Sequence, residues 1–267
     1  MRHTRSLILL AGLMAHLPTG PLAAQARWPT PLDGNGELSL RWDRPHFPER
    51  EYGFLSGILT FGARVQVANN VNLAFEIPQF RAPGTGSDAS MGNPYFGAEF
   101  TDGDGTPAYT AGIRLINGST GGDPQIIGLF TDYERFEQTI TSDLLVVSGM
   151  GHWTAWKDPE GASVRIRFGG TIFHSKGGES NELTADYGVR FGRSIGPLEF
   201  DAALTGRLFV TASDLGAPES SFHSVAVDLV RRAGRIRPSV GVRLPLDAEI
   251  NRAVSYVLLF GLSATLK

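Results

Sequence analysis

The sequence predicts an all-β chain: a single antiparallel up-and-down transmembrane β-barrel of about twelve strands, with a short helix in its longest external loop. Three observations predict it. Apolar and polar residues alternate over segments of about ten residues from Glu37 to the end. Short turns alternate with long loops around the whole chain. The N-terminus has the parts of a secretory leader.

The leader comes first in the chain. Arg2, His3 and Arg5 make a basic start, Leu7 to Leu17 a compact apolar run, and Ala24-Gln25-Ala26 a small-x-small site behind Pro18 and Pro21. Residues 1–26 are therefore expected to be a cleaved signal peptide, residues 27–36 a periplasmic N-terminal segment, and residues 37–267 an outer-membrane barrel. A membrane anchor is the alternative, but the apolar run is shorter than the roughly 20 residues that span a bilayer. The chain has no cysteine, which excludes disulfides, thiolate chemistry and a lipid on a processed cysteine.

No later stretch stays apolar for long enough to make a membrane helix. A membrane location then requires a barrel, because only helices and closed barrels satisfy their backbone hydrogen bonds in hydrocarbon. The 33 glycines suit tight turns and close strand packing. The net charge of −3 suggests no nucleic-acid partner.

The expected strands are Glu37–Asp43, Gly57–Val67, Val71–Phe80, Pro94–Phe100, Tyr109–Leu115, Asp143–Trp156, Val164–Ile172, Leu183–Phe191, Leu198–Val210, Phe222–Leu229, Arg235–Leu244 and Val254–Leu266. Each of the later ones has one apolar and one polar face. In the strand from Val164, Ile166, Phe168 and Ile172 oppose Arg165, Arg167 and Thr171. In the last strand Val257 and Leu259 break the polar face, and in Asp143–Trp156 the register is ambiguous.

Connections after even strands are short: Asn69-Asn70, Asp102–Pro107, Asp158–Gly161, Arg193–Pro197 and Arg231–Gly234. Those after odd strands are longer, as external loops are. A soluble β-sandwich or lipocalin-like barrel alternates too, but with its apolar face inside. The arginines and carboxylates of the polar faces, and aromatics near strand ends such as Trp42, Tyr109, Trp153 and Tyr256, favour the membrane form. Within the longest loop, Ile126, Phe130, Tyr133 and Ile140 recur at helical spacing. This segment, residues 124–140, is either an amphipathic helix capping or entering the barrel mouth, or an ordinary packed loop.

The stretch Gly92-Asn-Pro-Tyr-Phe-Gly-Ala-Glu-Phe100 resembles a strand motif of uncharacterised transporter-like outer-membrane β-barrel proteins, which are similar in layout to the MetA-pathway of phenol degradation family. The resemblance implies an outer-membrane location and passage of small molecules. The chain departs from the usual aromatic C-terminus of such barrels, ending Ala264-Thr-Leu-Lys267.

Some outer-membrane barrels of this size are lipid hydrolases, which use His and Ser two apart on one strand face. Here His174-Ser175 and His223-Ser224 are adjacent and should face opposite sides. Asp102-Gly-Asp104-Gly105 is only part of a calcium loop. The expectation is therefore no catalytic, cofactor-binding or metal residues.

Strand direction sets the height of each lumen residue. Arg64, Glu76, Glu99, Arg165, Arg167, Arg190, Glu199, Asp201, Asp228, Arg235 and Arg237, with Arg114, are expected to form a charged constriction toward the periplasmic end. Asp186, Arg207 and Arg243 belong to a milder upper lumen, a cup open to the outside. The function this suggests is a channel or transporter for small solutes. A non-conducting structural or binding barrel and an outer-membrane lipid hydrolase are the alternatives. Expected partners are outer-membrane lipid, an unidentified small solute, and the secretion and barrel-assembly machinery during biogenesis, with no nucleic acid.

Overall fold

The structure is a computed structural model. It describes residues 28–32, 34–48, 52–83, 89–103, 105–115, 122–138, 144–175, 181–211, 221–232 and 234–267. The proposed signal peptide lies outside the described residues.

Among the described residues the strands are β1 (Gly36–His46), β2 (Gly57–Ala68), β3 (Val71–Arg81), β4 (Ala89–Met91), β5 (Tyr95–Thr101), β6 (Pro107–Arg114), β7 (Leu144–Lys157), β8 (Ala162–Ser175), β9 (Glu182–Ile195), β10 (Leu198–Phe209), β11 (Ser221–Arg231), β12 (Ile236–Pro245) and β13 (Tyr256–Leu266). Two helices accompany them: α1 (Asp123–Thr131) in the longest loop and α2 (Ala248–Ala253) in the last one. A 3-10 segment, Tyr133–Gln138, follows α1.

All thirteen strands belong to one sheet, every neighbouring pair is antiparallel, and β1 pairs with both β2 and β13. β4 and β5 both lie along β3, so they form one interrupted stave and the ring closes with twelve. Closure runs from Gly36 opposite Leu266 to His46 opposite Tyr256. It gives each long stave a partner on both sides, as hydrocarbon requires. The turns at one end are tight, and Gly161 (φ 91°) and Gly196 (φ 58°) supply the left-handed backbone that two of them need.

The faces settle which side meets lipid. Leu40, Phe61, Leu73, Ile113, Phe168, Leu204 and Leu262 are exposed on the outer wall. Glu99, Arg165, Asp186, Arg190, Asp201 and Arg207 alternate with such residues and are buried inside. Phe168 is 57% exposed, while Arg243 is 1% exposed. A soluble barrel would invert this arrangement, so the chain is a transmembrane barrel. The same criterion resolves the β7 register: Val146 and His152 face inward, and Leu145, Val147 and Trp153 face outward.

Candidate functional site

The lumen is crossed by two segments, one from each end. The upper one is the longest external loop. Helix α1 begins with Pro124 in its first turn, where a missing N–H costs nothing. Its apolar residues lie against inward-facing apolar residues at the top of the wall. Val254, Val257 and Leu259 are fully buried and pack against Phe130. The two residues that broke the polar face of the last strand are thus the seat of α1. On β2 and β3, Ile58 and Phe80 are buried beside it. A Cβ on Gly128 would come within 2.5 Å of the Phe80 ring, so the helix touches the wall at a glycine.

The chain then crosses toward the opposite staves. It leaves helical backbone at Arg135 (φ −121°, ψ 44°). Three acidic residues of the crossing meet arginines and hydroxyls of the wall. Asp132 accepts from Arg243 Nη1 at 3.1 Å and pairs with Arg135, with Arg41 Nη2 at 3.9 Å. Glu134 Oε1 accepts from Thr205 at 2.6 Å and from Ser224. Glu137 lies 2.7 Å from Arg207 Nη1 and 3.8 Å from Arg114 Nε. Its backbone carbonyl accepts from Asn93 Nδ2 at 2.9 Å. Burial raises the Asp132 carboxyl, but Arg135, Arg243 and Arg41 outweigh it and hold the group well below the usual carboxylate range.

The lower crossing is the N-terminal segment. Trp28 is 2% exposed. Arg167 lies over its ring at 5.0 Å and Arg165 at 6.0 Å, with His152 edge-on at 6.0 Å. The Pro29 carbonyl accepts from Arg165 Nη1 at 2.8 Å, and the Thr30 carbonyl from Arg64 Nη2 at 2.7 Å. The segment ahead of β1 therefore reaches the β7–β8 wall on the far side of the ring.

Between the two crossings lies a cavity of about 250 Å³. It is lined from above by Glu134, Arg135 and Glu137, from below by Trp28, Pro29 and Thr30, and around the wall by residues including Arg41, Arg64, Arg167 and Arg237. Its cations are all arginines, which stay charged at any physiological pH.

Most of the sequence-predicted residues come together here, in three groups and two single arginines. Arg64 donates to Glu99 at 3.0 Å, and Asn72 joins the same carboxylate at 3.3 Å. Arg190 grips Asp201 at 2.8 and 2.6 Å and Glu199 at 3.2 Å. Asp201 stands directly across the strand pair from Asp228, as expected. Arg207 holds Asp186, which also accepts from Thr171 at 2.9 Å. Arg237 lines the cavity and Arg165 sits below it on Pro29.

Three expectations need correction. Arg235 lies exposed ahead of β12 rather than in the lumen, because the strand begins one residue later. Arg114 is at the outer end of β6, where it bonds the Asn93 carbonyl at 3.0 Å and faces Glu76 and Glu137 at 3.8 Å. It supports the upper crossing, not a periplasmic constriction. The upper lumen is filled by α1 and the 3-10 segment instead of forming an open cup.

Sequence reasoning missed Arg41, Asp43, Asp132, Glu134 and Trp28. For the first two a signal existed: Glu37, Ser39, Arg41 and Asp43 alternate on one face of β1. For Asp132 and Glu134 the signal was weaker, three carboxylates inside an apolar loop facing a barrel rich in arginine.

His223 and Ser224 face opposite sides, as strand parity requires. Ser224 points inward to Glu134, and His223 outward, where its ring contacts Asp247 at 2.9 Å and Tyr187 Oη at 2.6 Å.

No protein-family model and no curated protein sequence matches the chain. Solved structures do resemble it. The COG4313 outer membrane channel from Pseudomonas putida F1 superposes with a TM-score of 0.55 at 8% identity, covering 92% of this chain and all of that one. The fold is that of an outer-membrane β-barrel. The NanC porin is similar at a TM-score of 0.51 and 12% identity, over 86% of this chain and 100% of its own. The translocator domain of the autotransporter NalP from Neisseria meningitidis gives 0.51 at 9%, over 88% and 90%. At such identities the likeness extends to the barrel and stops there. Residue roles rest on the geometry above.

Proposed function

We propose that the chain is an outer-membrane channel for small solutes, closed at rest by its two lumen crossings. One observation carries this reading: a cavity of about 250 Å³ with charged side chains in its lining persists between the crossings, inside a wall otherwise built to face lipid. A barrel needing only mechanical stability would fill that space with apolar side chains, because buried ion networks are a poor source of stability. The structural neighbours described as a porin and an outer membrane channel agree with it. Secretion by the leader, insertion by the assembly machinery and residence among outer-membrane lipids belong to the same proposal. The charged residues from Arg64 to Arg237 then act as the selectivity lining.

The test is conductance in planar bilayers, comparing the refolded mature chain with a variant in which residues 123–138 are replaced by a short glycine-serine linker. The channel reading expects rare, small openings from the parent and frequent, larger ones from the variant. A heat-modifiable, correctly folded variant that passes no current would refute it. That outcome would favour a non-conducting binding barrel, a reading supported by the filling of the upper lumen.

A further inference from the structure

We propose that Arg41 and Arg135, backed by Arg243, form a binding site for a single oxyanion, the carboxylate or phosphate group of a solute that reaches the central cavity. The inference rests on the channel reading for how the solute arrives, but its chemistry stands on the cluster alone. Three guanidiniums meet there around two carboxylates, Asp43 and Asp132. Arg41 Nε lies 2.9 Å from Asp43, and Arg243 reaches Asp132 at 3.1 Å and Asp43 at 3.8 Å. Arg135 pairs with Asp132 through Nη2. One positive charge remains uncompensated within the cluster.

The donors tell the same story. Arg41 Nη2, Arg135 Nε and Nη1, and Arg243 Nε are buried and make no hydrogen bond, while Arg41 Nε pairs with Asp43. A buried donor left unmade is costly, and an oxyanion accepting from several guanidinium N–H groups is among the strongest polar contacts available to a protein. The other two carboxylates of the inserted segment are engaged elsewhere. Glu134 is engaged by Thr205 and Ser224, and Glu137 by Arg207. Arg41 and Arg135 line the cavity, with Arg243 behind them on Asp132 and Asp43, so an oxyanion in the cavity meets the first two guanidiniums.

Isothermal titration calorimetry of the refolded chain in detergent tests this, with succinate and inorganic phosphate as separate probes at fixed ionic strength. The parent chain should bind one of them at a single site, and the tighter probe identifies the oxyanion class. Arg135→Gln and Arg41→Gln should each weaken binding about tenfold. Arg252→Gln, an exposed arginine of α2, should leave it unchanged. Arg135→Lys keeps the charge on a loop residue and should recover part of the loss, which separates binding from misfolding. Failure of the parent to bind either probe, or equal binding by folded Arg135→Gln and Arg41→Gln variants, would overturn the proposal. Calorimetry reads no ion flow. A protein that binds but never conducts refutes the channel and leaves the site standing.

Discussion

Arg207 on β10 and Glu137 of the inserted segment face each other at 2.7 Å, both about 6% exposed. The pair ties the loop to a wall opposite the one on which α1 is seated. Arg207 also holds Asp186 on the neighbouring strand, so a single guanidinium fastens a wall strand and the plug together.

Arg207→Gln should leave Glu137 and Asp186 buried without their shared cation. Breaking a buried pair from one side costs about 3–5 kcal/mol. The barrel itself should survive, since its ladder is backbone-bonded, and the loss should fall on the inserted segment. Hydrogen exchange should show faster exchange in residues 123–138 and unchanged strands, and the double variant with Glu137→Gln should be milder than the single one.

Acid should loosen the same segment. Asp132 is held below its ordinary pKa of 3.8 in the closed state, and a released loop would restore that ordinary value. The stabilisation is therefore complete above about pH 5 and declines as pH falls through and below the ordinary value. Channel opening should be more frequent at pH 3 than at pH 6. Asp132→Asn should open more at pH 6 and lose most of that difference.

Trp28 closes the cavity from below. Trp28→Ala removes a buried ring and its contacts with Arg165 and Arg167, a loss of about 3–5 kcal/mol for the strap. Protease added on the periplasmic side of reconstituted vesicles should then cleave ahead of β1 faster than in the parent, with the barrel fragment left intact.

Gly169 on β8 marks a very close approach of two wall strands. A Cβ there would lie 2.1 Å from the Gly149 carbonyl oxygen and 2.6 Å from the Met150 Cα, both backbone atoms that cannot turn aside. Gly169→Ala should cost at least about 1–3 kcal/mol and lower the yield of heat-modifiable barrel after refolding. Gly103→Ala, where nothing lies within 4 Å, is the matched control.

The barrel was legible in the chain because period-two alternation and loop parity are local signals. Strand order in an up-and-down barrel adds nothing beyond the order of the sequence. The lumen was legible by face, and Arg190 with Asp201, or Arg207 with Asp186, sit where alternation puts them. What the alternation could not express was the filling. Trp28 and Asp132 lie outside strands, and their partners are far away in sequence. The misfits were the available clue: Val257 and Leu259 break the polar face of the last strand because α1 supplies their apolar partner. Arg235 failed for a smaller reason, since parity gives a side but not the residue at which a strand ends.

The segment around Trp28 also braces the seam. It precedes β1, yet it is gripped by Arg165 and Arg167 of β8 and by His152 of β7. The ring is sealed by β1 against β13, the first and last strands described. The strand at the seam is therefore held twice, by backbone bonds to its neighbour and, through the residues ahead of it, by a guanidinium and ring clasp on the far side of the cylinder.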